Sequence, residues 1–411
     1  MRCGLALLAV LGIASAAAAG DGEGCGVCHG AERIQHARSI HRSGGLGCVA
    51  CHGGDPGHVE SKEAAHSREK GFVGRIPRGE IAASCGSCHA DVVKMRPFGL
   101  RADVLDAWRS SHHGRAVLEE GRTDAATCID CHGVHEVLRT RDPASPAHRT
   151  RVPATCGKCH ADPALMESHG KTATAPAEFA RSLHGTRLAT GEPGVPSCAD
   201  CHDAHAAAPP GALEVAAVCG SCHLEAQEHF RESPHFAASL RGEMAQCITC
   251  HGNHAVDHPD FDLFDRENGK DGKGPVRCLD CHDGSDPGDA GAATARAFGS
   301  GLRGTTEAIA AAEVRIAEVA ALGFFVDDER EALEQARREV VRALPLAHAV
   351  QRIPVEASLR RARSFVDEAL LGCDTSVRES RDRRIQGTFL AFALLAVAAF
   401  FFLEGRRRNR P

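Results

Sequence analysis

Nine times in this chain two cysteines stand three residues apart with a histidine directly behind the second. The nine are Cys25-Cys28-His29, Cys48-Cys51-His52, Cys85-Cys88-His89, Cys128-Cys131-His132, Cys156-Cys159-His160, Cys198-Cys201-His202, Cys219-Cys222-His223, Cys247-Cys250-His251 and Cys278-Cys281-His282. Such spacing suits one chemistry. Two thiols add across the two vinyl groups on one edge of a haem, and the imidazole that follows reaches the iron from the same side. Chance would produce the motif about 0.06 times in a chain of this composition. The motifs take eighteen of the 20 Cys and nine of the 25 His in 411 residues. A disulfide scaffold or a zinc array would leave the histidine unexplained. The cofactors expected are therefore nine covalently bound haem c groups with their iron. A formal charge of −6 gives no reason to expect nucleic acid as a partner.

The motifs alternate in kind. Sites one, three, five and seven have Gly after the first Cys (Gly26, Gly86, Gly157, Gly220). Sites two, four, six and eight follow a Ser-x-His, which supplies His41, His113, His184 and His235. Three of them also carry a histidine three residues past the motif, namely His135, His205 and His254, and site two has the looser His58. The pattern is an internal repeat of haem pairs. A histidine three residues past the proximal one is on the wrong side of the porphyrin for the same iron, so it is free to ligate a neighbour. The upstream Ser-x-His is expected to arch over its own haem. These eight histidines leave one iron short of a second ligand. The remaining candidates are His36, His66, His112, His148, His169, His229, His258 and His348. His348 is preferred, because it sits just after Pro345 in an otherwise His-free helical segment; His169 is next.

The ends suggest a compartment. Arg2, the apolar run Leu5 to Ile13 and the small residues Ala14 to Ala19 read as a secretory signal peptide over residues 1–20. Residues 385–403, Ile385 to Leu403, are nearly uncharged and long enough to cross a bilayer as a helix. Arginines flank the span equally, four before it and Arg406, Arg407, Arg408 and Arg410 after it. Charge therefore leaves orientation open, and the signal peptide decides it. Residues 21–384 are expected in the periplasm and the Arg-rich tail, 404–411, in the cytoplasm. A single helical span suits a bacterial inner membrane.

Aromatics make up 4 % of the chain and Tyr is absent. Haems can serve as the core instead, wrapped by short helices and Gly/Pro-rich connectors. No strand-type alternation is sustained anywhere. The fold expected is mainly α with irregular loops. Residues 21–300 form a nonahaem domain with stacked haems as its core. Residues 301–384 form a helical bundle leading to the span. In that bundle one helix is expected over Thr305–Leu322, a second from Asp327 or Asp328 to Leu344, and a third over Leu346–Leu371, interrupted near Pro354 and ended by Gly372. Ile309, Ile316, Val319, Leu333, Val340 and Leu344 recur at helical spacing. The stretch Asp257 to Lys273 lacks the spacing of a calcium loop and reads as surface. Cys373 reads as a small buried residue or a thiol for pairing between subunits.

The Ser-x-His followed by Cys128-Ile-Asp-Cys131-His132-Gly-Val-His135, and again by Cys247-Ile-Thr-Cys250-His251-Gly-Asn-His254, resembles the bacterial multihaem cytochromes c with doubled motifs. That superfamily includes hydroxylamine oxidoreductase-like proteins, pentahaem nitrite reductase-like proteins and membrane-anchored quinol-oxidising cytochromes. The resemblance covers residues 25 to about 285 and implies closely packed haems and electron transfer. Its catalytic branches use a Lys in place of one motif His, or a Tyr joined to the catalytic haem; this chain has neither. No catalytic residue is therefore expected. The expected function is a relay between the quinol pool, or a quinol-oxidising membrane subunit, and periplasmic or outer-membrane redox proteins. The alternative is a reductase of a small nitrogen or sulfur oxyanion using one five-coordinate haem.

Overall fold

A computed structural model describes residues 24–211, 214–244, 246–256, 260–265, 276–286 and 288–408. The signal peptide, His258, Arg410 and much of the Asp257 to Lys273 stretch lie outside the described residues. Among those described there are short helices, turns and three long helices, and no strand. The chain forms two compact units, Met1–Pro209 with His254–Val256, and Pro210–Asn253 with Asp257–Pro411.

The first unit buries little of its own apolar surface. Its buried apolar side chains are Ile81, Ala82, Met95, Trp108, Val117, Met166, Leu188 and Val195. A domain of that length normally removes well over half of its surface from water. What the first unit does bury is a set of small polar residues, among them Ser39, Ser111, Thr127, Ser182 and Ser197. Each caps a short helix.

The second unit holds a conventional core in its helical bundle. The helices are Ala290–Ala321, Asp327–Leu346 and Arg352–Arg408. Ile309, Ala312, Ile316 and Val319 of the first meet Leu333 and Ala336 of the second, and Ala362, Val366, Ala369 and Cys373 of the third. Spacings of three and four place each set on one face. A further cluster joins Phe298, Leu302, Ala343, Val355 and Leu359. Cys373 is fully buried in the larger cluster.

Four helix limits differ from expectation: the second helix runs through Pro345 to Leu346, the third starts at Arg352, and glycine explains the other two. The first helix starts at Ala290 rather than Thr305. Asp289 caps it by accepting from Gly291 N–H at 2.7 Å. Gly299 and Gly301 lie inside it, where a Cβ would meet Asp265 at 2.5 Å and Leu359 at 2.9 Å. These glycines mark close approach between neighbours rather than helix ends. The third helix runs through Gly372, at a cost of about 1 kcal/mol relative to alanine, because Val366, Ala369 and Cys373 around it are packed. Pro354 falls in its first turn, where a missing N–H costs nothing. From Arg381 to Leu403 this helix is exposed at every position. Its apolar stretch has mean hydropathy 2.1 and is long enough to cross a membrane.

Glu339 is the one carboxylate buried in the bundle among the described residues, 7 % exposed. It accepts from Ser358 Oγ at 2.8 Å and Arg361 Nε at 3.0 Å, and pairs with Arg342. Burial opposes its ionisation, but Arg361, Ser358 and Arg342 outweigh burial and hold its pKa below the ordinary 4.5. A carboxylate depressed in the folded state stabilises above its unfolded pKa, and that contribution is lost as pH falls through the folded value. Bundle stability is therefore expected to drop on acidification below about pH 4.5. Glu339→Gln should remove about 1–2 kcal/mol at neutral pH, because both arginines are half exposed. Thermal melts followed by circular dichroism at several pH values check both, and a variant whose melt shows the wild-type acid dependence would overturn the assignment.

Candidate haem sites

Each motif lies on a helical turn, which puts residues i and i+3 on one side. Sites four and six occupy short helices, Cys128–His132 and Cys198–His202. Both open with a capping box. Thr127 Oγ donates to Asp130 at 2.9 Å and Ser197 Oγ donates to Asp200 at 2.7 Å, while each carboxylate also accepts from the cap residue's own N–H. Sites three and five end longer helices, Arg78–His89 and Val152–His160. The Gly of the other motif kind gives a neighbour room. A Cβ on Gly26, Gly86 or Gly220 would strike Arg33, Leu105 or Gln227 at 2.2–2.4 Å.

The Ser-x-His has a clear local cause. Its serine is the N-cap of a short helix whose second residue is the histidine. Ser111 Oγ accepts from Gly114 N–H at 2.9 Å and donates to the Trp108 carbonyl at 2.6 Å. Ser182 does the same between Gly185 and Phe179, and Ser233 between Phe236 and Phe230. Ser39 accepts from His41 N–H and donates to the Val137 carbonyl. An N-cap contributes about 1 kcal/mol and aims the imidazole. At Gly114 and Gly185 a Cβ would fall within 2.0 Å of the Trp108 and Phe179 carbonyl oxygens. The signal for these caps was visible in the sequence as a recurring serine, without its reason.

The imidazoles come in pairs. In the first unit all six motif histidines face a second imidazole. Ring-centre separations are 6.0 Å for His29–His66, 6.3 Å for His52–His135, 6.1 Å for His89–His41, 6.3 Å for His132–His205, 6.1 Å for His160–His113 and 5.9 Å for His202–His254. In the second unit His251 faces His348 and His282 faces His235, each at 6.0 Å. Two imidazoles that share one metal need about 2 Å from metal to each nitrogen and about 1.1 Å from nitrogen to ring centre, hence a separation of about 6.2 Å. The observed gaps fit a six-coordinate haem iron. They do not fit zinc: among the described residues no three His, Cys, Asp or Glu converge on a metal position, and a structural zinc needs four ligands.

The imidazoles are also in the right state. Burial first, and neighbouring imidazoles second, hold His41, His113, His132 and His235 among others below the ordinary histidine pKa, and burial holds His348 down against the carbonyls of Pro345 and Leu344. His251 is brought down to about 4 by burial, His348 and His223. A neutral ring has a lone pair for a metal. His52 Nδ1 is 2.8 Å from the Gly74 carbonyl, and His348 Nδ1 is 3.2 Å from both the Leu344 and Pro345 carbonyls. A carbonyl can only accept, so Nδ1 holds the proton and Nε2 is free.

The pairing corrects two expectations. The Ser-x-His does not arch over the haem of its own motif. His41 precedes site two but faces His89 of site three; His113 crosses likewise to site five and His235 to site nine. Its capped helix is separated from its own motif by a loop. The histidine three past the motif reaches back one even site: His135 to site two, His205 to site four, His254 to site six. This rule explains the ends of the repeat. Site one has no Ser-x-His before it, and site eight has no later even unit. His66 and His348 fill those places. His58 has no earlier even site to reach. It lies half exposed between Glu60 at 3.0 Å and Asp55 at 3.5 Å and faces no imidazole. His66, which sequence reasoning left in the remainder, is held by Phe72 stacked on it at 4.2 Å; no periodicity marks it. His169 faces Arg122 and Asp124 instead of a motif. His184 holds the same place in its capped helix, Leu183–Ala189, as His113 does in its own. His223 caps the Leu224–Arg231 helix.

Consecutive motifs are neighbours within each unit. Cys25 and Cys48, Cys85 and Cys128, Cys156 and Cys198, and Cys219 and Cys247 lie within hydrogen-bond reach of one another. Cys51 lies near Cys88, Cys131 near Cys156, and Cys250 near Cys278.

A family model described as the doubled CXXCH motif matches residues 191–228, which contain sites six and seven. No curated protein and no solved structure matches. The motifs with this match mark a multihaem c-type cytochrome, carrying covalently bound haem iron and serving electron transfer.

Proposed function

We propose that the chain is a nonahaem cytochrome held in the bacterial inner membrane by one helix, its bulk in the periplasm, relaying electrons from the quinol pool, through a membrane subunit, to periplasmic or outer-membrane redox proteins. The observation that carries this is the repeated gap of 5.9–6.3 Å between a motif imidazole and a second one. A haem iron, when bound, supplies one-electron chemistry. Each pair of imidazoles would hold a haem iron between its two rings, leaving no room there for water or substrate. Within each unit the cysteines of successive motifs neighbour one another, which supports electron passage from one site to the next. Nine is supported by nine complete motifs. Anchoring is supported by a fully exposed apolar stretch that a soluble surface does not tolerate. The oxyanion-reductase reading needs an open iron face, and at eight sites a histidine stands there.

Haem content, electron paramagnetic resonance and reduction in liposomes test this together. Nine haems per chain, an all-low-spin ferric spectrum, and reduction by a menaquinol analogue when the membrane subunit is present are expected. Fewer than nine haems, a high-spin ferric signal in the intact protein, or no reduction with that subunit would each overturn the reading.

A further inference from the structure

His282 differs from His52, His202 and His348 in what holds its outer nitrogen. His52, His202 and His348 give Nδ1–H to backbone carbonyls, at 2.8, 3.4 and 3.2 Å. His282 Nδ1 sits 2.9 Å from both oxygens of Asp289. An ionised carboxylate only accepts, so Nδ1 donates the proton and Nε2 faces His235. The contact is built into the chain. Asp289 is the N-cap of the first bundle helix, which fixes its rotamer. Two residues on, Gly291 makes room for the ring: a Cβ there would lie 2.3 Å from His282 Nδ1. Any side chain at 291 would push the imidazole away.

We infer that Asp289 is a positioning and tuning residue for haem nine, holding its potential below what a carbonyl partner would give. This rests on the axial role proposed for His282. A carboxylate partner draws the Nδ1 proton and gives the ring imidazolate character. That makes Nε2 a stronger donor and favours the ferric state. The ring of His348 at site eight has only carbonyl partners and lacks this effect.

The test is Asp289→Asn and Asp289→Glu in the full-length protein, followed by potentiometric titration of the haem absorbance. Asparagine caps a helix as well as aspartate, so the fold is kept while the charge goes. With Asn, the component worth one ninth of the amplitude should shift upward by a tenfold change in ferric-to-ferrous ratio, 59 mV for one electron. With Glu, it should stay near the wild type. Coincident wild-type and Asn titrations at a full count of nine haems would overturn the inference, as would an equal shift with Glu. A Cys278–Cys281 peptide lacking haem mass in the wild type would overturn the ligation reading itself, and this inference with it.

Discussion

Replacing His348 with alanine is expected to turn one haem in nine from low spin to high spin. His348 stands on the Ala347–Ala349 turn behind the second bundle helix, 6.0 Å from His251 with the rings 24° from parallel. Two carbonyls fix its Nδ1, so the side chain has no freedom to swing away. On the proposed ligation, removing it would take a strong-field ligand from one iron and leave His251 alone. The bundle should survive, because Ala347 and Ala349 beside it carry the packing at this turn. Electron paramagnetic resonance should show a new high-spin ferric signal at one ninth of the haem, and added imidazole should abolish it. His169→Ala is the matched control: its ring lies against Arg122 and Asp124, and its loss should leave every haem low spin. An all-low-spin His348→Ala protein would remove His348 from the site.

The second large effect concerns the span. A chain ending at Arg384 should leave the membrane fraction and keep all nine haems. The bundle core closes at Cys373, with Val377 partly covered, so nothing packed is cut away. Beyond it eleven Ile, Leu, Val and Phe side chains between Ile385 and Leu403 are lost. At about 0.5 kcal/mol each, insertion forfeits about 5 kcal/mol, more than a thousandfold in partitioning. Carbonate washing of membranes from cells expressing either form, with haem staining of pellet and supernatant, reads this directly. A shortened chain that still pellets would place the anchor elsewhere.

What could be read from residues alone divides along a physical line. Haem attachment is local chemistry, confined to five consecutive residues, and so it is visible in the motifs themselves. The bundle faces, Ile309, Ile316, Val319 and Leu333, follow from helical period and are buried. Which second imidazole serves which motif is a tertiary matter. His41 lies closer in sequence to site two than to site three, yet it faces His89. His66 belongs to no repeat; its position depends on Phe72 and on the chain reversal at Gly53, whose φ of +62° and approach to Gly71 admit no side chain. Gly372 misled as a helix end because propensity is weaker than packing. The outer partners of the imidazoles, Gly74 or Asp289, are likewise invisible without coordinates.

The third bundle helix has no break between Val355, which packs beneath the turn bearing His348, and Ile385, where the apolar stretch begins. Thirty residues at the helical rise make a rod of about 45 Å. With that stretch in the bilayer and the rod upright, the turn bearing His348 and the facing His251 would stand about that far above the lipid. On the proposed reading, a membrane subunit would carry the electrons across that height, and lengthening the rod by a few turns should sever the delivery while leaving every haem in place.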